Sequence, residues 1–285
     1  MAQQANHPLP NGHRLEEYTI DRQLSLGGFS IVYLATDAEG KMVAIKEYLP
    51  NSLALRGKDE IKPLITGDHL GAFRYGMKCF FEEGRALARL SHPNVIRVLN
   101  FFRANDTVYM VMEYEHGRTL QEFIQKHQGH ISERFIRGLF TRMLNGLREV
   151  HSHKLLHLDL KPSNIYLRSD NTPVLIDFGA ARQTLATDQP MLKPMYTPGF
   201  ASPEHYGARI DLGPWSDIYS VGASMYACLA GVAPQAADSR LKKDTLAPAM
   251  VRWDGQFSDR LLEIIDWGLN LNHLYRPQSV FALQK

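Results

Sequence analysis

His157-Leu158-Asp159-Leu160-Lys161-Pro162-Ser163-Asn164, followed shortly by Asp177-Phe178-Gly179, places two carboxylates, a lysine and a side-chain amide in close order. Asn164 and Asp177 are hard oxygen donors of the kind that suits Mg²⁺ held partly by protein and partly by phosphate. Residues 165–176 between them read as a short hairpin that returns the second ligand to the first. Phosphoryl transfer asks a protein to hold metal ions, neutralise spreading charge and orient a hydroxyl, with little covalent chemistry of its own. Each of these tasks has a candidate residue in this stretch.

Upstream, residues 18–46 alternate in hydrophobicity, with Asp37-Ala38-Glu39-Gly40 as a turn between Ile31-Val32-Tyr33-Leu34-Ala35 and Met42-Val43-Ala44-Ile45-Lys46. The pattern predicts a strand, a hairpin and a strand. The turn Gly27-Gly28-Phe29-Ser30 at the head of this region can bring backbone N–H groups close to phosphates. Helical spacing over residues 80–90 ends at Ser91-His92-Pro93-Asn94, and two further strands are expected over 95–102 and 108–114. Beyond Gly117 the periodicity becomes helical, over 120–126, 133–151, 216–230 and 259–269.

These motifs, in this order, resemble the catalytic loop, metal-binding turn and lysine strand of the eukaryotic-type serine/threonine protein kinases, in particular a bacterial subset. The resemblance spans roughly residues 18–282. It implies an α+β, bilobal fold: a small β-rich lobe with one main helix over about 18–115, a larger helical lobe over 116–285, and a flexible leader over 1–17. It implies that Asp159 acts as the base, Lys161 stabilises the transferring phosphate, and Asn164 and Asp177 hold Mg²⁺ or Mn²⁺. Lys46 would pair with the nucleotide phosphates and Glu83 with Lys46, Glu82 being the neighbouring alternative. Leu24, Ser25, Gly27 and Gly28 would cover the phosphates of ATP. Val32, Ala44 and Tyr166 would enclose the adenine, and Met112 would precede a hinge containing Glu113 and Glu115. Glu204 with Arg276, and Asp217, would have structural roles.

Against the family pattern, Ser25 and Ser30 stand where glycines are usual and Leu158 replaces an arginine. In many kinases that arginine binds an activation-loop phosphate, so phosphorylation of Thr184 or Thr187 is not expected to be the main switch here. The segment between Lys46 and Phe80 exceeds what the family needs and reads as a surface excursion on the small lobe. A pseudokinase scaffold is the alternative function, opposed by the intact Lys46, Asp159, Asn164 and Asp177. A small-molecule phosphotransferase is opposed by residues 197–204, which resemble a protein-substrate platform.

The 285 residues, 44% hydrophobic, suffice for a large core, and 32 basic against 30 acidic residues leave no basic stripe for nucleic acid. Cys79 and Cys228 lack metal or redox spacing and are expected to be buried thiols in a cytoplasmic protein. The run over 221–233 is too short to cross a bilayer. His151, His153 and His157 lack the partners of a zinc site, and His157 is expected to pack behind Asp159 and Phe178. ATP and proteins bearing Ser or Thr are the expected partners; oligomeric state is not legible.

Overall fold

The structure, a computed structural model, describes residues 6–178, 196–207 and 211–285. Its contacts divide the described residues into two units, one containing residues 6–91 and 96–115, the other 92–95, 116–178, 196–207 and 211–285.

The first unit is built on β1 (Arg14–Leu15), β2 (Tyr18–Leu26), β3 (Ser30–Thr36), β4 (Met42–Tyr48), a small pair β5 (Ala54–Leu55) and β6 (Leu64–Ile65), α1 (Gly67–Leu87), β7 (Val98–Ala104) and β8 (Thr107–Glu113). The main sheet has the order β1-β2-β3-β4-β8-β7. β4, between β3 and β8, is buried from Val43 to Tyr48 on both faces: Phe73 and Phe80 of α1 lie against Tyr48 on one, and Arg56 pairs with Glu47 on the other. Phe73, Gly76, Phe80, Gly84 and Leu87 form the buried stripe of α1. Gly84 has no room for a side chain without displacing Met110, whose Cε lies 3.0 Å from where a Cβ would stand.

Two expectations are corrected here. The helix begins at Gly67 and not near residue 80; its first half carries Gly67, Gly71 and Gly76, which thin the apolar pattern, and the N-cap residue Thr66 makes no side-chain cap bond. The strand expected over 95–102 starts at Val98, whereas Val95 bridges Leu175 in the second unit. Within the expected leader, Asn6 and Leu9 are buried and Leu15 pairs with Tyr18.

The second unit contains β9 (Gly117–Thr119), α2 (Leu120–His127), α3 (Glu133–Ser152), β10 (Ile165–Arg168), β11 (Pro173–Leu175), α4 (Pro203–Tyr206), α5 (Pro214–Ala230), α6 (Ala237–Lys242), α7 (Ala249–Arg252), α8 (Asp259–Gly268) and α9 (Val280–Gln284). Thr119 and Glu122 form a capping box that starts α2, and Ser132 caps α3. α5 is apolar nearly all round and buried along its length, which marks it as the centre of this unit. α8 crosses it closely: a Cβ on Gly222 would stand 3.3 Å from the Cα of Gly268. In the sheet β11-β10-β9, β10 follows Asn164 directly and β11 ends two residues before Asp177. Gly117 is obligatory there, since a Cβ would fall 2.0 Å from the Leu167 carbonyl oxygen. Among the described residues no helix is long and apolar enough to cross a membrane. Cys228 is fully buried, which pushes its thiol upward, while Cys79 is only half-buried, contrary to expectation.

Candidate active site

The catalytic segment is assembled within the second unit. Pro162 opens a short 3₁₀ turn, Pro162–Asn164, whose fixed φ suits a first helical position. The turn delivers Asn164 next to Asp159 and Asp177. The Asn164 amide nitrogen donates to the Asp159 carbonyl at 2.8 Å, to Asp159 Oδ2 at 3.0 Å and to the Asp177 carbonyl at 3.4 Å. With its nitrogen committed to three acceptors, the amide must present its oxygen on the other side. Ile176 N–H also donates to the Asn164 carbonyl, so the Asp177 turn is tied to the catalytic turn by backbone as well. Asp177 itself adopts a left-handed backbone, φ 55°.

Asp159 Oδ2 lies 3.2 Å from Lys161 Nζ, and that nitrogen donates to Thr197 Oγ1 at 2.7 Å. Lys161 therefore joins the carboxylate to the segment that begins at Tyr196. His157 is fully buried and stacks on Phe178 with ring centroids 4.4 Å apart. Its Nε2 faces the Ile176 carbonyl at 3.0 Å, so that nitrogen carries the proton, and Nδ1 accepts from Asp159 N–H at 3.3 Å. Burial holds this imidazole below the ordinary histidine value despite the nearby Asp217, Asp159 and Asp177. His157 is thus a neutral scaffold residue, as expected from sequence.

Asp217, on α5, anchors the loop from beneath. Its carboxylate accepts from His151 Nε2 at 2.8 Å and from the backbone N–H groups of His157 at 2.9 Å and Leu158 at 2.8 Å. Burial alone would raise its pKa, yet these donors hold it below the usual carboxylate value. Leu158 sits at φ 60°, an unfavourable conformation for leucine. Its carbonyl accepts from His205 Nε2 at 3.2 Å, and His205 Nδ1 accepts from Ser202 Oγ at 2.8 Å. His205 was missed by sequence reasoning, and His151, noted there only in a histidine cluster weighed as a zinc site, was given no anchoring role; only the fold brings them to the loop. Glu204 pairs with Arg276 and accepts from Ser216 Oγ at 3.1 Å, both partners being buried.

In the first unit, Lys46 is buried on β4, in register with Val32 on β3 and Met110 on β8, with Nζ 5.8 Å from the Phe80 ring centroid. Glu83 lies half-buried on α1, whereas Glu82 is 55% exposed and lies 3.9 Å from Arg85, which favours Glu83 for a structural or catalytic role. Ala44 stands opposite Leu34 and Met112, and Glu113 opposite Val43. Half-buried Leu24 and exposed Ser25 lie near the end of β2, and exposed Gly27 and half-buried Gly28 in the turn to β3. Tyr166, on β10 of the second unit, is in register with Thr119 and Val174. Thr184, Thr187 and Gly179 lie outside the described residues.

The protein kinase domain model matches residues 18–285. Curated relatives include PLK4 of Drosophila willistoni, a serine/threonine-protein kinase, 28% identical over 230 residues, which cover 78% of this chain and 26% of PLK4. PLK4 of Drosophila sechellia is 27% identical over 86% of this chain and 30% of its own length. The chain thus spans less than a third of these relatives. Among solved structures, the apo form of PpkA-294 is 34% identical with a TM-score of 0.87, covering 97% of this chain and 98% of that one. The Mycobacterium tuberculosis PknI kinase domain, at 20% identity and TM-score 0.71 over 97% and 96% of the two chains, shares the fold. The ordered motifs, the two-part architecture and these likenesses agree: the chain belongs to the protein kinase family, within its serine/threonine branch.

Proposed function

We propose that this chain transfers the γ-phosphate of ATP to a Ser or Thr hydroxyl of a protein, with Asp159 orienting and accepting the hydroxyl proton. The observation that carries this reading is the Asn164 amide, which gathers Asp159 and the Asp177 turn into one cluster. The donor set fits a hard divalent cation: the outward amide oxygen of Asn164 and the carboxylate of Asp177 would hold Mg²⁺, or Mn²⁺ in its place. When bound, the metal would neutralise charge on the phosphates. Lys161, held between Asp159 and Thr197, sits where it can stabilise charge on the transferring group and keep the base oriented toward the hydroxyl.

Lys46 would bind phosphate oxygens, with Glu83 as its carboxylate partner, and Leu24, Ser25, Gly27 and Gly28 would cover them. Val32, Ala44, Met112 and Tyr166 would supply apolar contacts to adenine, with the backbone at Glu113 and Glu115 recognising its edge. The two cysteines are unbridged, which suits a reducing cytoplasm.

The test is Mg²⁺-dependent transfer of labelled γ-phosphate to a basic protein or to the chain itself, with Asp159→Asn as control. Transfer by the parent that falls about 10²–10⁴-fold in the variant supports the assignment. Equal transfer by both proteins, or none by either, sinks it.

A further inference from the structure

The segment after Lys46 does more than join a strand to a helix. In-register pairing of β3 with β4 reaches Ser30 opposite Tyr48. The chain then runs on along the turn: Leu49 N–H donates to the Phe29 carbonyl at 3.0 Å, and Asn51 N–H to the Gly28 carbonyl at 2.9 Å. The Phe29 ring meets Tyr48 edge-on at 5.1 Å, and Tyr48 in turn contacts Phe73 and Phe80 of α1 at 5.1 and 5.8 Å. Backbone and side chain at the tip of the glycine-rich turn are therefore both tied to the insertion.

These bonds have a directional consequence. In a planar trans peptide the C=O and the following N–H point opposite ways. With the Gly28 and Phe29 carbonyls turned onto the insertion, the N–H groups of Phe29 and Ser30 point away from it. Successive backbone donors of this kind are what a glycine-rich turn offers to an anion. Gly27 N–H closes the turn onto the Ser30 carbonyl at 2.9 Å.

The insertion is itself anchored. The Arg56 guanidinium, fully buried, donates to both Glu47 carboxylate oxygens at 2.6 and 2.7 Å and to the Tyr33 hydroxyl at 2.8 Å. The Asn6 side chain accepts from Arg56 N–H at 2.6 Å and donates to the carbonyls of Ala54 at 3.2 Å and Leu49 at 3.4 Å. Asn6 thereby links the amino-terminal strap to the residue whose N–H holds Phe29.

We propose that residues 48–56, strapped by Asn6, are a positioning element that aims the Phe29 and Ser30 amides at the nucleotide phosphates. The proposal rests on the reading of Gly27 and Gly28 as a phosphate-covering turn. It deepens that reading by assigning the insertion to nucleotide affinity.

The variants are Asn6→Ala and Tyr48→Leu, with Tyr48→Phe as the conservative control, since the Tyr48 hydroxyl is buried without a partner. Two quantities are measured on the whole chain: amide hydrogen exchange of Leu49 and Asn51, the clamp's donors, without nucleotide, and Kd for Mg-ATP and for adenosine. Exchange at Leu49 and Asn51 should quicken in Asn6→Ala and Tyr48→Leu, and ATP binding should weaken about fivefold with adenosine unchanged. Tyr48→Phe should match the parent in both. Unchanged exchange, or equal weakening for ATP and adenosine, overturns the proposal. A parent that binds no ATP would instead overturn the nucleotide reading, and exchange at Leu49 and Asn51 would still judge the clamp.

Discussion

Around Asp159 the backbone is held by side chains: Asp217 takes two N–H groups, His205 donates to the Leu158 carbonyl, and His157 accepts from Asp159 N–H. Around Gly28 it is held by backbone: the carbonyls of Gly28 and Phe29 take N–H groups of Asn51 and Leu49, with one ring contact beside them. The Asp159 loop is thus written in residue identity, the glycine-rich turn in chain path. A substitution can erase a side-chain anchor in one step, whereas a backbone bond yields only when the path that carries it is displaced. The first region should accordingly respond to single changes far more than the second.

The largest expected effect tests the catalytic side directly. Asp217→Ala removes the acceptor from three donors, two of them backbone, and each buried donor left unpaired costs about 1–3 kcal/mol. Denaturant unfolding should show a loss of at least about 3 kcal/mol together with a collapse of phosphotransfer; a loss under about 1 kcal/mol would break the comparison. Next, Glu83→Gln should lower kcat/KM about a hundredfold, while Glu82→Gln, on the exposed side of α1, should stay within about twofold. Steady-state kinetics that reverse this order would reassign the helix carboxylate.

A smaller effect comes from the buried histidines. Burial lowers the pKa of both His157 and His205, against the opposing pull of Asp217 and Asp159 on each. The unfolded chain therefore takes up protons near pH 6.5 that the folded chain does not. Their contribution to stability is complete above about pH 6.5 and falls as pH drops toward the folded values, by about 1.4 kcal/mol per pH unit for each histidine. His205→Gln, which keeps a donor for the Leu158 carbonyl, should remove one such share from the slope while retaining most activity. An unchanged slope in urea melts between pH 5 and 7 would show that His205 is not buried neutral.

The smallest effect sharpens the other half of the comparison. Phe29→Leu and Tyr48→Leu each remove one side of a ring contact worth about 0.5–1.5 kcal/mol beyond area. A double-mutant cycle on ATP affinity should give a coupling in that range and no larger, because the two backbone bonds survive both changes.

This contrast also explains what could be read from the chain. The order of Lys46, Asp159, Asn164 and Asp177, which carries the likeness to the kinase family, was legible because phosphoryl transfer calls for particular functional groups. The hairpin from β3 to β4 was legible from alternation, and the helical character of α3 and α8 from periodicity. The first half of α1 was hidden by its glycines, since a segment carrying Gly67, Gly71 and Gly76 has little hydrophobic signal. The role of residues 48–56 was hidden because N–H groups of Leu49 and Asn51 look the same in any sequence. His205 was hidden because its partner is a carbonyl 47 positions away.

Leu158 invites a view from protein engineering. A left-handed backbone at a leucine forgoes roughly 1–2 kcal/mol relative to a relaxed one, and asparagine tolerates that conformation better. Selection for thermal tolerance alone should therefore reach Leu158→Asn early. The gain would come without a new contact, from a position one residue before Asp159, the proposed base, where loop stiffness should bear on turnover. This residue is a place where heat resistance and catalytic rate can be exchanged for one another.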